Sequence, residues 1–153
     1  MTLPFAQALQ AGVETARGLL ENLEREREAL VADDLDGFLQ LSEGKKERIA
    51  ALEAFDRQRL AALRQAGLDE DEAGMEALLA GDPRADTLWR ELLQVLQSCQ
   101  RLNEINGRII QARKRQVEQA LSVLRGQLGS EKLAYDRQGR VTGTDPGLPL
   151  GKV

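Results

Sequence analysis

Apolar residues recur every three or four positions along most of this chain, and the longest such run is unbroken. Between Pro83 and Leu128, one stripe carries Leu92, Val95, Cys99, Leu102, Asn106, Ile109, Val117, Leu121, Leu124 and Leu128. That spacing is the seam of a helix. At ~1.5 Å rise per residue the helix would run roughly 67 Å. A helix of that length must lie against other long helices or against a partner.

Two shorter stripes precede it. Over residues 3–31, Phe5, Leu9, Val13, Ala16, Leu20, Leu23 and Leu30 line one face, and Arg27 interrupts it late. Gly12 and Gly18 mark either close helix contact or a soft first helix, because each costs about 1 kcal/mol relative to Ala in a helix interior. Over residues 33–66 the stripe is Leu35, Phe38, Leu41, Ile49, Leu52, Phe55, Leu60 and Leu63, with Lys45 on the seam. Asp33 or Asp34 can cap the start of this helix, and Gly67 can stop it. Nothing between Leu30 and Leu35 breaks a helix outright, so helices one and two could be continuous. The short connection favours an antiparallel hairpin.

Residues 68–82 read as a linker with a short helix near 70–80. Asp69, Glu70, Asp71 and Glu72 supply the charge that a helix N-terminus favours. Asp82 followed by Pro83 is a start signal for the long helix. The expected fold is all-α: an elongated antiparallel bundle of three long helices plus a short connecting helix. Beyond Leu128 the periodicity stops, and six of the chain's 14 glycines fall between Gly126 and Gly151. We therefore expect a helical bundle domain over 1–128 and a flexible C-terminal tail over 129–153.

Composition agrees. Aromatics are 3% of 153 residues and charged residues 30%, a balance that suits long helices with Leu and Ala seams. The net charge is −4, unevenly spread: −6 over residues 68–86 and +4 over residues 87–128. An acidic chain is a poor nucleic-acid binder. The cluster Arg113, Lys114 and Arg115 reads more readily as a solvated helix face than as a patch for an acidic partner.

Candidate chemistry is thin. There is no histidine and one cysteine, Cys99, which excludes an intramolecular disulfide and most acid–base and zinc arrangements. No phosphate-cradling glycine loop occurs. We expect no enzyme, no cofactor and no metal. The N-terminus lacks a signal-peptide pattern, and no apolar run of ~18 residues could span a bilayer. Cytoplasmic residence without stable membrane insertion is the default.

The distinctive local sequence runs from Arg101 to Ile110. Asn106 sits on the apolar stripe with Asn103 one turn earlier, and Gly107 follows. A polar group on a seam sets register at some cost in stability, and a mid-helix glycine admits another backbone. A helix-packing motif of Asn103, Asn106 and Gly107 is the favoured reading.

These residues carry a resemblance. Asn103-Glu-Ile-Asn-Gly107, the following Ile109 and Ile110, the run Val117, Leu121 and Leu124, and Tyr135-Asp-Arg-Gln-Gly139 resemble the FlgN family of flagellar type III export chaperones. The resemblance implies a cytoplasmic, ATP-independent chaperone that binds the hook–filament junction proteins FlgK and FlgL and delivers them to the export gate protein FlhA. It also implies substrate binding at Val117, Leu121, Leu124 and Leu128, and export-gate docking at Tyr135. The tail from Gly143 to Val153 matches no motif of the family. Apart from the resemblance, a long helix with an apolar stripe can bind a partner helix. A structural coiled-coil adaptor or self-associating helical protein is the alternative.

Overall fold

The computed structural model describes the backbone of residues 3–135 and the side chains of residues 5–127. Four helices follow in order: α1 Leu3–Val31, α2 Leu35–Gln65, α3 Glu72–Leu79 and α4 Pro83–Tyr135. Among the described residues there is no strand, and the fold is all-α. The chain divides into two units, residues 1–106 and residues 107–153.

The first unit holds α1, α2, α3 and the beginning of α4. α1 and α2 form the expected hairpin. The reversal begins where Asp33 takes a left-handed φ of 57°. Asp34 N–H donates to the Ala29 carbonyl at 2.9 Å and Asp33 N–H to that of Leu30 at 3.3 Å, which closes the last turn of α1 as a Schellman motif. Asp34 then caps α2, its Oδ1 accepting from Gly37 N–H at 2.9 Å. The same motif ends α2. Gly67, at φ 69°, donates to Arg64, and Leu68 donates to Leu63. Asp71 caps α3 through Gly74 N–H at 2.7 Å. Asp82 caps α4 through Ala85 N–H at 3.1 Å, directly ahead of Pro83.

Hydrogen bonds fix the directions. Cys99 Sγ donates to the Ala16 carbonyl and Asn106 Nδ2 to the Leu23 carbonyl, both 83 residues away. A constant separation means that α4 runs parallel to α1 within this unit, and α2 runs against both. The two bonds are seven residues apart, the repeat of a coiled-coil seam. α1 and α2 approach closely at Gly12, where an added Cβ would meet the Phe55 ring at 3.3 Å. Gly12 thus marks helix contact.

The core has two adjoining parts. Phe5, Leu9, Val13, Phe55, Leu63, Met75, Leu79, Leu88 and Leu92 pack toward the α3 end. Leu19, Leu23, Cys99 and Leu102 continue the seam. Each fully buried aliphatic side chain contributes about 1.5–3 kcal/mol before entropy is set against it. The stripes differ from expectation in detail. Leu19 is buried where Leu20 is half-buried, and Glu26, not Arg27, occupies the late seam position of α1. In α2, Leu35 and Ile49 are 60% and 40% exposed. Each lies one step off the row Phe38, Lys45 and Phe55 that faces inward.

In the second unit α4 continues to Tyr135 and does not stop near 127. Gly126 and Gly129 each weaken it by about 1 kcal/mol, but Glu131, Lys132, Leu133 and Ala134 are ordinary or good helix formers. Of the tail expected over 129–153, residues 129–135 are the end of α4 and residues 136–153 lie outside the described residues.

Candidate functional site

The second unit presents a helix surface with an apolar row. Val117 and Leu124 are 41% and 52% exposed, and Leu121 between them is half-buried. Steps of four and three place the three on one face. Gln116, Glu118, Gln119, Ser122 and Arg125 are exposed around them. Branched aliphatics aligned in water gain about 25 cal/mol for each Å² a partner covers, and an amphipathic helix in a groove is the common way to cover them. Val123, 61% exposed, points off this row. Leu128 extends the row by spacing. Its side chain and that of Tyr135 lie outside the described residues, although Tyr135 ends the helix backbone.

The asparagine motif is divided by the structure. Asn106 is 2% exposed and donates from Nδ2 to the Leu23 carbonyl at 3.0 Å. Asn103 is exposed. A Cβ on Gly107 would meet nothing within 4 Å, so among the described residues no backbone closes on it.

Asn106 instead belongs to a buried polar cluster in the first unit. Lys45 Nζ stands 3.5 Å from Glu26 Oε2. Asn22 Nδ2 donates to the Leu41 carbonyl at 2.8 Å, and Arg48 reaches Asn22 Oδ1 at 3.5 Å. Burial raises the Glu26 carboxyl above its ordinary value; Lys45, and Asn106 less strongly, favour the charged form. Glu26 Oε1 and Asn106 Oδ1 have no hydrogen-bond partner among the described residues. Glu26 is missed when the α1 stripe is read through Leu20. Read through Leu19 and Leu23, the next step lands on Glu26, opposite the seam lysine that the sequence already shows.

Little here is equipped for bond chemistry. The Cys99 thiol is buried, and that burial pushes it up to about 11, so it is not a nucleophile near neutral pH. Among the described residues no cluster of three or more His, Cys, Asp or Glu is placed to hold a metal ion. No described helix is long and apolar enough to cross a membrane.

The described residues form an all-α bundle in the first unit and, in the second, a helix that carries an apolar row. The FlgN protein family matches residues 4–143, and the chain belongs to that family, a family of flagellar export chaperones. No curated protein and no solved structure matched the chain.

Proposed function

We propose that this chain is a cytoplasmic chaperone that binds the hook–filament junction proteins FlgK and FlgL and delivers them to the export gate protein FlhA. The exposed row Val117, Leu121 and Leu124 carries the reading. It is the apolar surface that a helical substrate terminus would cover, and Leu128 extends it. Tyr135 is the proposed docking handle for FlhA, since a tyrosine buries a large ring and keeps a hydrogen-bonding tip. The working division is a bundle domain over 1–128 that holds cargo and a tail over 129–153 that engages the gate.

The test is Leu121→Ala/Leu124→Ala, with affinity for FlgK and FlgL measured by calorimetry beside thermal stability. Binding should weaken by at least about tenfold, or ~1.4 kcal/mol, with the melting temperature nearly unchanged. Tyr135→Ala should lower affinity for the cytoplasmic domain of FlhA and leave cargo binding intact. Intact cargo binding in the double alanine variant would refute the surface. If that variant instead abolished concentration-dependent self-association, the row would serve a self-associating adaptor.

A further inference from the structure

The acidic stretch of residues 68–86 has a use that helix capping does not exhaust. It forms one wall of an open cleft of about 440 Å³ between α2, α3 and the start of α4, a volume within the range of binding pockets. Its floor is apolar. Met75 and Leu79 are 3% and 4% exposed, Trp89 is half-buried, and Leu93 stands 47% exposed at the lip.

The cations that reach the cleft are engaged. Arg59 lies over the Trp89 ring, 5.6 Å from its centroid, and pairs with Asp56 at 2.9 Å. Arg90 pairs with Asp86 at 2.9 Å. Two neighbouring acids are engaged as well: Asp71 caps α3, and Glu70 pairs with Arg64 at 2.7 Å. That leaves Glu72 and Glu76, both lining the cleft and both exposed. Neither has a cation within ion-pair distance among the described residues, and Glu76 feels Arg90 only at longer range.

Glu72 opens α3, where the helix dipole favours it, but its neighbourhood with Glu76 is unfavourable for the free protein. They are like charges one turn apart, which weakens a helix by about 0.2–0.5 kcal/mol. Glu76 also lies in the second half of the eight-residue α3, where the helix dipole opposes a negative charge. A cation brought between them removes both penalties.

We infer that this cleft docks a basic amphipathic segment of another protein. An apolar side chain of that segment enters between Met75, Leu79 and Trp89, and its lysines or arginines sit on Glu72 and Glu76. The surface lies wholly in the first unit, and the inference does not depend on what covers Val117, Leu121 and Leu124.

Trp89 is the chain's one tryptophan, so its emission reads the cleft directly. The probe is a synthetic leucine–lysine peptide with its leucines at helical spacing, set against the same peptide with glutamate for lysine. The lysine peptide should change Trp89 emission saturably, and the glutamate peptide should not. Glu72→Gln/Glu76→Gln should weaken binding about fivefold or more, the worth of two exposed ion pairs. Glu24→Gln/Glu28→Gln removes the same charge from an exposed face of α1 and should leave affinity within about twofold. Circular dichroism confirms that each variant remains helical. Equal loss in the two variants would reduce the effect to net charge and overturn the inference. So would an unchanged Trp89 emission, or sedimentation showing that Glu72 and Glu76 hold a second copy of this chain instead.

Discussion

Lys45 Nζ and Glu26 Oε2 stand 3.5 Å apart inside the α1–α2 hairpin, their side chains 10% and 1% exposed. A pair so deeply withdrawn from water loses in desolvation much of what it gains in attraction. Glu26 Oε1, which has no hydrogen-bond partner among the described residues, adds to that loss. Lys45→Met strands the carboxylate and should destabilise the protein by about 3–5 kcal/mol. Replacing both, as Glu26→Leu/Lys45→Met, should be neutral or stabilising by up to about 4 kcal/mol. Urea unfolding of the two variants makes the comparison. A double variant as unstable as the single one would contradict it.

The same pair sets a pH dependence. The Glu26 carboxyl lies above the ordinary 4.5 because burial outweighs the opposing pull of Lys45 and Asn106. The folded state then holds this proton more tightly than the unfolded chain. Its stabilising contribution is full below the unfolded value and is lost as pH climbs through the raised folded value. Glu26→Gln cannot titrate, so its stability relative to the natural chain should rise as the pH climbs above the ordinary 4.5 toward the raised folded value. A difference that stays flat across that window would show that Glu26 titrates normally.

Leu92 in the first unit and Leu124 in the second are apolar residues of α4 with opposite surroundings, 0% and 52% exposed. Leu92→Ala should cost about 2–5 kcal/mol, from lost transfer and a residual cavity. Leu124→Ala should stay within about 0.5 kcal/mol. Chemical denaturation of both variants decides the point, and a large loss at Leu124 would place it in a core.

Two glycines are needed for different reasons. Gly67 has φ 69° with open space where a Cβ would stand, so Gly67→Ala meets backbone strain alone, about 1–2 kcal/mol. At Gly74 a Cβ would run into the Asp69 carbonyl oxygen. Backbone cannot swing aside like a long side chain, so Gly74→Ala should shift the urea midpoint further than Gly67→Ala. The reverse order would refute the assignment.

Cys99 should resist alkylation. With the thiol near 11 and 4% exposed, about one in a thousand is ionised at about pH 8. Iodoacetamide should modify the native protein slowly and the urea-unfolded protein quickly. Fast native labelling would show that this part of the seam opens readily.

Much of this architecture was legible because caps and stops are local. Leu3–Val31, the stop at Gly67 and the start at Asp82 and Pro83 all follow from chemistry within one or two turns. The choice of facing residue was less so. Leu19 and Leu20 are equally apolar, and only the partner helix decides between them. That ambiguity concealed Glu26. Leu35 and Ile49 fall on the apolar stripe by spacing, because such a stripe tolerates one-residue slips that a packed seam does not. The acidic run before α4 read as helix-start charge, since nothing local tells that α3 folds back to form a wall beside Trp89.

The separations along the chain also order its assembly. Asn22 meets Leu41 across 19 residues, while α4 reaches α1 across 83. Closing the longer loop costs about 1 kcal/mol more in chain entropy. The hairpin is therefore the expected folding nucleus, with α4 docking onto it afterwards. Phe55→Leu should slow refolding, whereas Leu92→Ala should chiefly hasten unfolding, a split that stopped-flow kinetics resolves. Slowed refolding in Leu92→Ala would mean that α4 takes part in the nucleus.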